Sequence, residues 1–382
     1  MSTTHLPAAR RRIRTTVLGL ALALPLTLAA CSDSGSGEAT DTGSSTSDGE
    51  SAAAGETDGE GELTRSDLLT VVTHDSFALS DEIKQQFESD TGITVEYLAA
   101  GDAGTMANQL ILTKDAPLGD VVFGIDNTLA AKVADAGVLS PYAEAALPAS
   151  AQGYAYPDFS LTPIDYGDVC VNADKQWFAD QDLEIPQTLD DLADPAYRDL
   201  LVVENPASSS PGLAFLAATV GAKGEDGYLD YWGALSDNGV KVAKGWTEAY
   251  TGDFSGSSGK GPRPLVVSYA TSPAFEVPEG GDESNTVALL ETCFRQVEYA
   301  AVLKDSPNEW GAQKFIDYLL TAAVQSDIPG QMYMYPVNDE VDLPAEWVAH
   351  APLSETPIEV DAATISANST QWVKDWTAAV LQ

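Results

Sequence analysis

Residues 68–73 read LLTVVT, residues 93–98 read ITVEYL and residues 120–125 read DVVFGI. Each run is apolar, β-branched and too short for a buried helix, so each predicts a buried strand. Between the first two, Ser80 to Ser89 sets Ile83 and Phe87 four apart on one helix face, and Thr91-Gly92 ends that helix. A second helix is predicted over about Gly104 to Leu112. Strands alternating with helices imply an α/β chain whose sheets are mixed but mainly parallel, with helices on both faces. Ligands of such sheets meet the loops at the carboxyl ends of the strands. Here those loops are His74-Asp75-Ser76-Phe77, Gly101-Asp102-Ala103-Gly104 and Asp126-Asn127. Asp102, Asp126 and Ser76 read either as ligand contacts or as caps of the helices that follow, and one acid can do both.

The alternation continues through Asp168 to Asn172 (DVCVN), Glu204 to Leu216 (ENPASSSPGLAFL), Leu265 to Phe275 and Thr292 to Leu303, with a further helix predicted over Glu309 to Leu320. Ser208, Ser209 and Ser210 precede Pro211-Gly212 at a helix start, where free N–H groups and hydroxyls either hold an anion or hydroxyl or simply cap the helix. Trp246, Tyr250, Tyr269 and Tyr333 stand beside glycine, serine or short turns and outside the apolar runs. They read as the walls of a cleft or as ordinary packing aromatics. Aromatic faces combined with carboxylates suit a planar cation, each cation–π contact contributing about 0.5–2 kcal/mol when partly desolvated.

Across 382 residues, 58 acids face 19 bases, a formal charge of −39 that argues against binding nucleic acid through its phosphates. Three histidines argue against a His-rich metal site, and three cysteines are too few for a disulfide scaffold. No nucleophile with its base, metal cluster or acid pair stands out. His74, Asp75 and Ser76, being adjacent in one loop, cannot converge on one atom as a triad requires. Neither an enzyme nor a cofactor is therefore expected, a lipid-anchored hydrolase being the minor alternative. The first thirty residues hold no acid, and Arg10, Arg11, Arg12 and Arg14 precede the apolar run Thr15 to Ala30, which reads as a secretory signal. That run contains Pro25 and is shorter than the roughly 20 residues of a spanning helix. Its end, Leu28-Ala29-Ala30-Cys31, resembles a bacterial lipobox, which makes Cys31 the lipidated residue; ordinary signal cleavage is the alternative. Residues 32–62 are Ser, Gly, Thr, Ala, Asp and Glu, too polar to bury a core, and read as a disordered acidic tether. With Cys31 given to lipid, Cys170 and Cys293 remain as an even pair in an exported chain, either bonded or present as two buried thiols.

TVVTHDSF (70–77), DVVFGIDNTL (120–129), PIDYGDVCVN (163–172), ENPASSSPGLAFL (204–216), KGWTEAYTGDF (244–254), VVSYATSPAF (266–275), QVEYAAV (296–302) and MYPV (334–337) together resemble the thiamine-binding proteins of ABC importers, within the type II periplasmic binding-protein superfamily. The resemblance spans about residues 66–382. It implies two α/β lobes around a ligand cleft, with residues 66–165 plus about 295–345 in one lobe and 166–294 plus about 346–382 in the other. It also implies thiamine or a thiamine phosphate as ligand, a permease as partner, and a monomer held outside the cytoplasm by its lipid alone. By position, Asp102 would balance the cation, and Trp246, Tyr269 and Tyr333 would form its aromatic walls. Ser209 and its neighbours would meet the hydroxyethyl end or a phosphate. His74 and Phe275 stand where the family has tyrosine, and Tyr333 where it has tryptophan, so each change keeps a flat ring. Another cationic small molecule, a polyamine or ferric iron are the alternative ligands, although no Tyr-Tyr pair of the iron binders occurs.

Overall fold

The computed structural model describes residues 63–143 and 147–381. The expected signal segment 1–30, the lipid on Cys31 and the tether up to residue 62 lie outside the described residues.

Strand β1 (Leu68–Thr73) runs parallel to both β2 (Thr94–Ala99) and β3 (Val121–Asp126). Helix α1 (Asp81–Thr91) returns the chain from β1 to β2, and α2 (Ala103–Leu112) returns it from β2 to β3. Local chemistry sets the ends of these helices. Ser80 Oγ accepts from Ile83 N at 3.4 Å to start α1, and Gly92, at φ 73°, ends it by donating its N–H to Glu88 O. Ser76, a possible cap in the sequence, is therefore not the residue that starts α1. Asp102 does start α2, accepting from Ala103 N at 2.7 Å.

Two long strands carry this arm into a second one. Strands β5 (Thr162–Asp174) and β9 (Thr286–Leu303) lie antiparallel side by side. The last residues of β9 pair with β3 and with the short β4 (Leu139–Ser140). The second half of β5 pairs with β8 (Leu265–Tyr269), beyond which β6 (Leu201–Glu204) and β7 (Lys241–Ala243) follow in parallel. With β10 (Tyr335–Pro336) on β5, the described residues form one ten-stranded sheet, ordered β2-β1-β3-β9-β5-β8-β6-β7 along its main path. The parallel pairing expected from the alternation thus occupies both arms. The centre is antiparallel because β5 and β9 traverse it in opposite directions.

Pro163, which has no N–H to give a ladder, sits at a register shift between Pro163 and Asp165. A second shift, between Val169 and Val171, contains Cys170, which is disulfide-bonded to Cys293 on the neighbouring strand. The sequence left these two thiols as bonded or free, and the fold joins them. In the second arm, α3 (Ser210–Lys223) is small or apolar on every side and buried from Ser210 to Val220. Helices α4 (Tyr228–Asp237) and α7 (Ala362–Val380) cover it, with Trp232 edge-on to Phe215 at 5.8 Å and to Trp376 at 5.4 Å. In the first arm α5 (Glu309–Leu319) sets Phe315 edge-on to Phe87 of α1 at 5.3 Å, and α6 (Ala322–Met332) packs beside it.

Candidate ligand cleft

A cavity of about 910 Å³ opens where the loops after β1 and β2 meet the start of α3 and the segments 244–252, 269–275 and 331–334. Small-molecule sites typically occupy about 300–1,000 Å³, so this one admits a ligand of that class. Of the site residues read from the sequence, all but Asp126 and Ser209 line it.

Its aromatic wall is oriented by hydrogen bonds. The Trp246 indole stacks on Tyr250 with ring centres 4.9 Å apart and planes 12° apart, and Trp246 Nε1 donates to Ser268 Oγ at 2.9 Å. Tyr250 is itself buried, its hydroxyl donating to Glu276 Oε1 at 2.9 Å, so it backs the wall more than it faces it. It rides on a π-helical turn, Glu248–Asp253, closed by Phe254 N donating to Ala249 O at 2.9 Å. A second pair joins Phe275, 52% exposed, edge-on to Tyr333 at 4.4 Å. Tyr333 has φ 57°, a left-handed conformation that costs a bulky residue on the order of 1–3 kcal/mol and persists only where its surroundings enforce it. Thr271 Oγ1, donating to Tyr333 O at 2.5 Å, and the stacked Trp347 ring are those surroundings.

The carboxylate read as a partner for a cation has more to hold than a ligand. Asp102 Oδ1 accepts from Ala103 N at 2.7 Å and Ser210 N at 3.2 Å, and Oδ2 accepts from Trp246 N at 3.0 Å. Burial raises its pKa, while these amides and the Ser209 hydroxyl draw it back down. Asp102 therefore ties the first arm to the second. Beside it Thr105 N donates to Ser208 O at 3.0 Å, and a Cβ on Gly104 would lie 2.7 Å from the Ser208 carbonyl carbon. The serine run is changed in meaning by this contact. The Ser210 amide at the start of α3 is already given to a carboxylate, Ser208 Oγ donates to Lys244 O at 2.7 Å, and Ser209 is fully buried. An anion at that helix start would have to displace Asp102. Asp126, also fully buried, uses Oδ1 to accept from Thr128 N, Thr128 Oγ1 and Leu129 N at 2.9, 2.6 and 3.0 Å, closing the turn after β3.

The floor adds two acids that were not singled out in the sequence, Glu298 and Asp165. Glu298 of β9 lines the cavity and stands in register with Asp126 of β3 on one side and Asp165 of β5 on the other. These three carboxyl residues are 4%, 0% and 0% exposed, respectively. Glu204, at the end of β6, is a fourth buried acid whose burial raises its pKa, with Asp102 adding to the effect. His74 Nδ1 accepts from Ser76 N at 3.1 Å, so Nε2 carries the proton and faces Glu298 Oε1 at 3.5 Å. Burial lowers His74 to about 4, which leaves the imidazole neutral at pH 7 and the contact short of an ion pair. Gly124, at φ 99°, makes room for this ring, since a Cβ there would lie 2.1 Å from His74 Cδ2. The available signal was an acid inside an apolar strand run, as in QVEYAAV, because a buried glutamate is rare unless partnered. Among the described residues, no group of three or more His, Cys, Asp or Glu side chains is placed to hold a metal ion.

Residues 116–354 match the family described as bacterial extracellular solute-binding protein. The chain belongs to that family. This solute-binding protein is 31% identical over 318 residues to the thiamine-binding periplasmic protein of Escherichia coli K12, a match covering 82% of this chain and 93% of the relative. A solved periplasmic thiamin binding protein superposes with a TM-score of 0.73 at 30% identity, covering 84% of this chain and 99% of the other. A ferric binding protein from Campylobacter jejuni superposes at 0.65 with 17% identity, covering 81% and 99%, and that likeness is one of fold. The two-lobed type II periplasmic-binding-protein fold is thereby established for this solute-binding protein.

Proposed function

We propose that this protein captures thiamine outside the cytoplasm and delivers it to the permease of an ABC importer. The observation that carries the reading is a small-molecule cavity with aromatic walls and an acidic floor. Trp246 and the Phe275–Tyr333 pair offer π-faces, Asp102 and Glu298 offer carboxyl groups, and Lys244 is the lysine among the lining residues. A thiazolium is permanently cationic and an aminopyrimidine is flat and polar at its edge, so such a site accommodates both rings. The relatives named for thiamine binding support the same ligand. Free thiamine is favoured over its mono- and diphosphate, because the α3 start that would receive a phosphate is engaged by Asp102. Carriage without turnover is the reading that membership of the solute-binding family supports. The lobes divide near residues 165, 295 and 345, the protein works as a monomer, and lipid on Cys31 with the acidic tether keeps it near its permease.

Calorimetry on protein unfolded and refolded to strip carried-over ligand tests the assignment. A 1:1 complex with thiamine, and weaker binding of the two phosphates, is expected. No heat with any of the three would overturn it.

A further inference from the structure

Among the described residues, no charged cation answers the three acids aligned across β3, β9 and β5. Like charges directly opposite each other on neighbouring strands repel, and burial strengthens the repulsion. Glu298 is faced by Asp165 from β5, Asp126 from β3, His74 from the loop after β1, Asp102 at the start of α2 and Tyr269 from β8. None of these is a base carrying charge at neutral pH, since His74 is held neutral. Arg295, three residues earlier on β9, is committed to Asp168, and Lys244 is exposed at the rim. Both Asp165 oxygens are buried and, among the described residues, accept no hydrogen bond from an N–H or hydroxyl. The donor that remains for Asp165 is a carboxyl proton on Glu298. Burial and the neighbouring carboxylates accordingly push Glu298 well above the ordinary glutamate range, while burial pushes Asp165 up to about 7 against the lowering effect of its hydrogen bond with Glu298.

We propose that Asp165 and Glu298 form a proton-exchanging counter-ion in the floor of the cleft, sharing one proton when the cleft is empty and releasing it when an organic cation enters. On binding, the Glu298 O–H bond breaks, the proton leaves to solvent and the floor gains one negative charge, so empty protein plus cation gives complex plus a hydron. An uncompensated buried pair of carboxylates is thereby avoided in the free protein, and the cation meets a full charge only once it is present to balance it. The inference rests on the proposed cationic ligand.

Two measurements test it. In ligand-free protein at pH 7, the infrared spectrum should contain a protonated-carboxyl C=O band that disappears in Glu298→Gln, or in Asp165→Asn should the first variant fail to fold. Loss of no such band in either folded variant, or absence of the band from the wild type, would overturn the shared proton. In calorimetry with thiamine near pH 7, the heat should differ between buffers of different ionisation enthalpy, corresponding to release of about half to one proton, and affinity should rise about ten- to a hundredfold from pH 6 to pH 8. Equal heats in the two buffers would overturn the exchange alone. No heat with thiamine in any buffer would overturn the ligand reading and the exchange with it, whatever the infrared result.

Discussion

The wall and the floor of the cleft are built on opposite principles. Wall aromatics are half-exposed or backed by one another, and their polar edges are hydrogen-bonded, as with Trp246 on Ser268 and Tyr250 on Glu276. The floor is buried, acidic and without a charged base among the described residues, with Glu298 between Asp126 and Asp165. A wall of this kind supplies contact area and shape, and its contribution depends little on pH. A floor of this kind supplies charge at a desolvation cost that only a bound cation or a proton relieves. The wall should therefore govern how tightly a flat ligand is held, and the floor which charge it must carry.

The largest expected effect lies in what both regions share, the strand pair β5–β9. The Cys170–Cys293 bond closes a separation of 123 residues between those strands, for which the chain-entropy account gives about 4–5 kcal/mol. The double substitution Cys170→Ala and Cys293→Ala should lower unfolding stability in denaturant titrations by about that amount. Neither cysteine lines the cavity, so affinity measured at a temperature where the variant is folded should change less than threefold. A large loss of affinity with little loss of stability would mean that the cross-link shapes the site. Next comes Trp246→Ala, which removes the exposed face of the wall. Affinity for thiamine should fall by at least about 30-fold, some 2 kcal/mol, as for a buried aromatic anchor in an interface. An unchanged dissociation constant would break the division between wall and floor.

Much of this was readable in the chain because wall and scaffold obey local rules. LLTVVT, the Ser80 cap and Gly92 specify β1 and α1 by pattern and capping, and the aromatic positions announce themselves by standing next to turns. Strands β5 and β9 extend beyond the segments read from sequence, because Pro163 and the stretch before Thr292 interrupt the apolar pattern while the ladder continues through register shifts. Asp102 was readable as a polar residue at a strand end, but not its grip on Ser210 and Trp246, which are more than 100 residues away. The floor was hidden for a related reason. Glu298, Asp126 and Asp165 converge only through cross-strand register, and the packing of His74 against β3 depends on Gly124, whose role no local pattern displays.

The smallest effect per unit of change is the most direct probe of the floor. Burial raises the pKa of Asp126, Asp165, Glu204 and Glu298 above their unfolded values, so the native state retains protons that the unfolded chain has lost above about pH 4. Stability from such groups is fully present below the unfolded pKa and is lost as pH rises through the folded one. His74 acts in the opposite sense. Its pKa is lowered from 6.5 to about 4, so its contribution grows with pH between those values and offsets one acid there. Above pH 6.5 that offset is complete and the acids act alone, with Asp165 titrating at about 7. Unfolding free energy of the empty protein should therefore decline from pH 6.5 to 7.5 by about 1.4 kcal/mol per pH unit for each proton still held in the native state alone. Glu298→Gln should flatten that decline, whereas Trp246→Ala should leave its slope unchanged. A wild-type stability that rises across this interval would mean that the floor is ionised in the empty cleft, and wall and floor would then differ in composition without differing in how they respond to a proton.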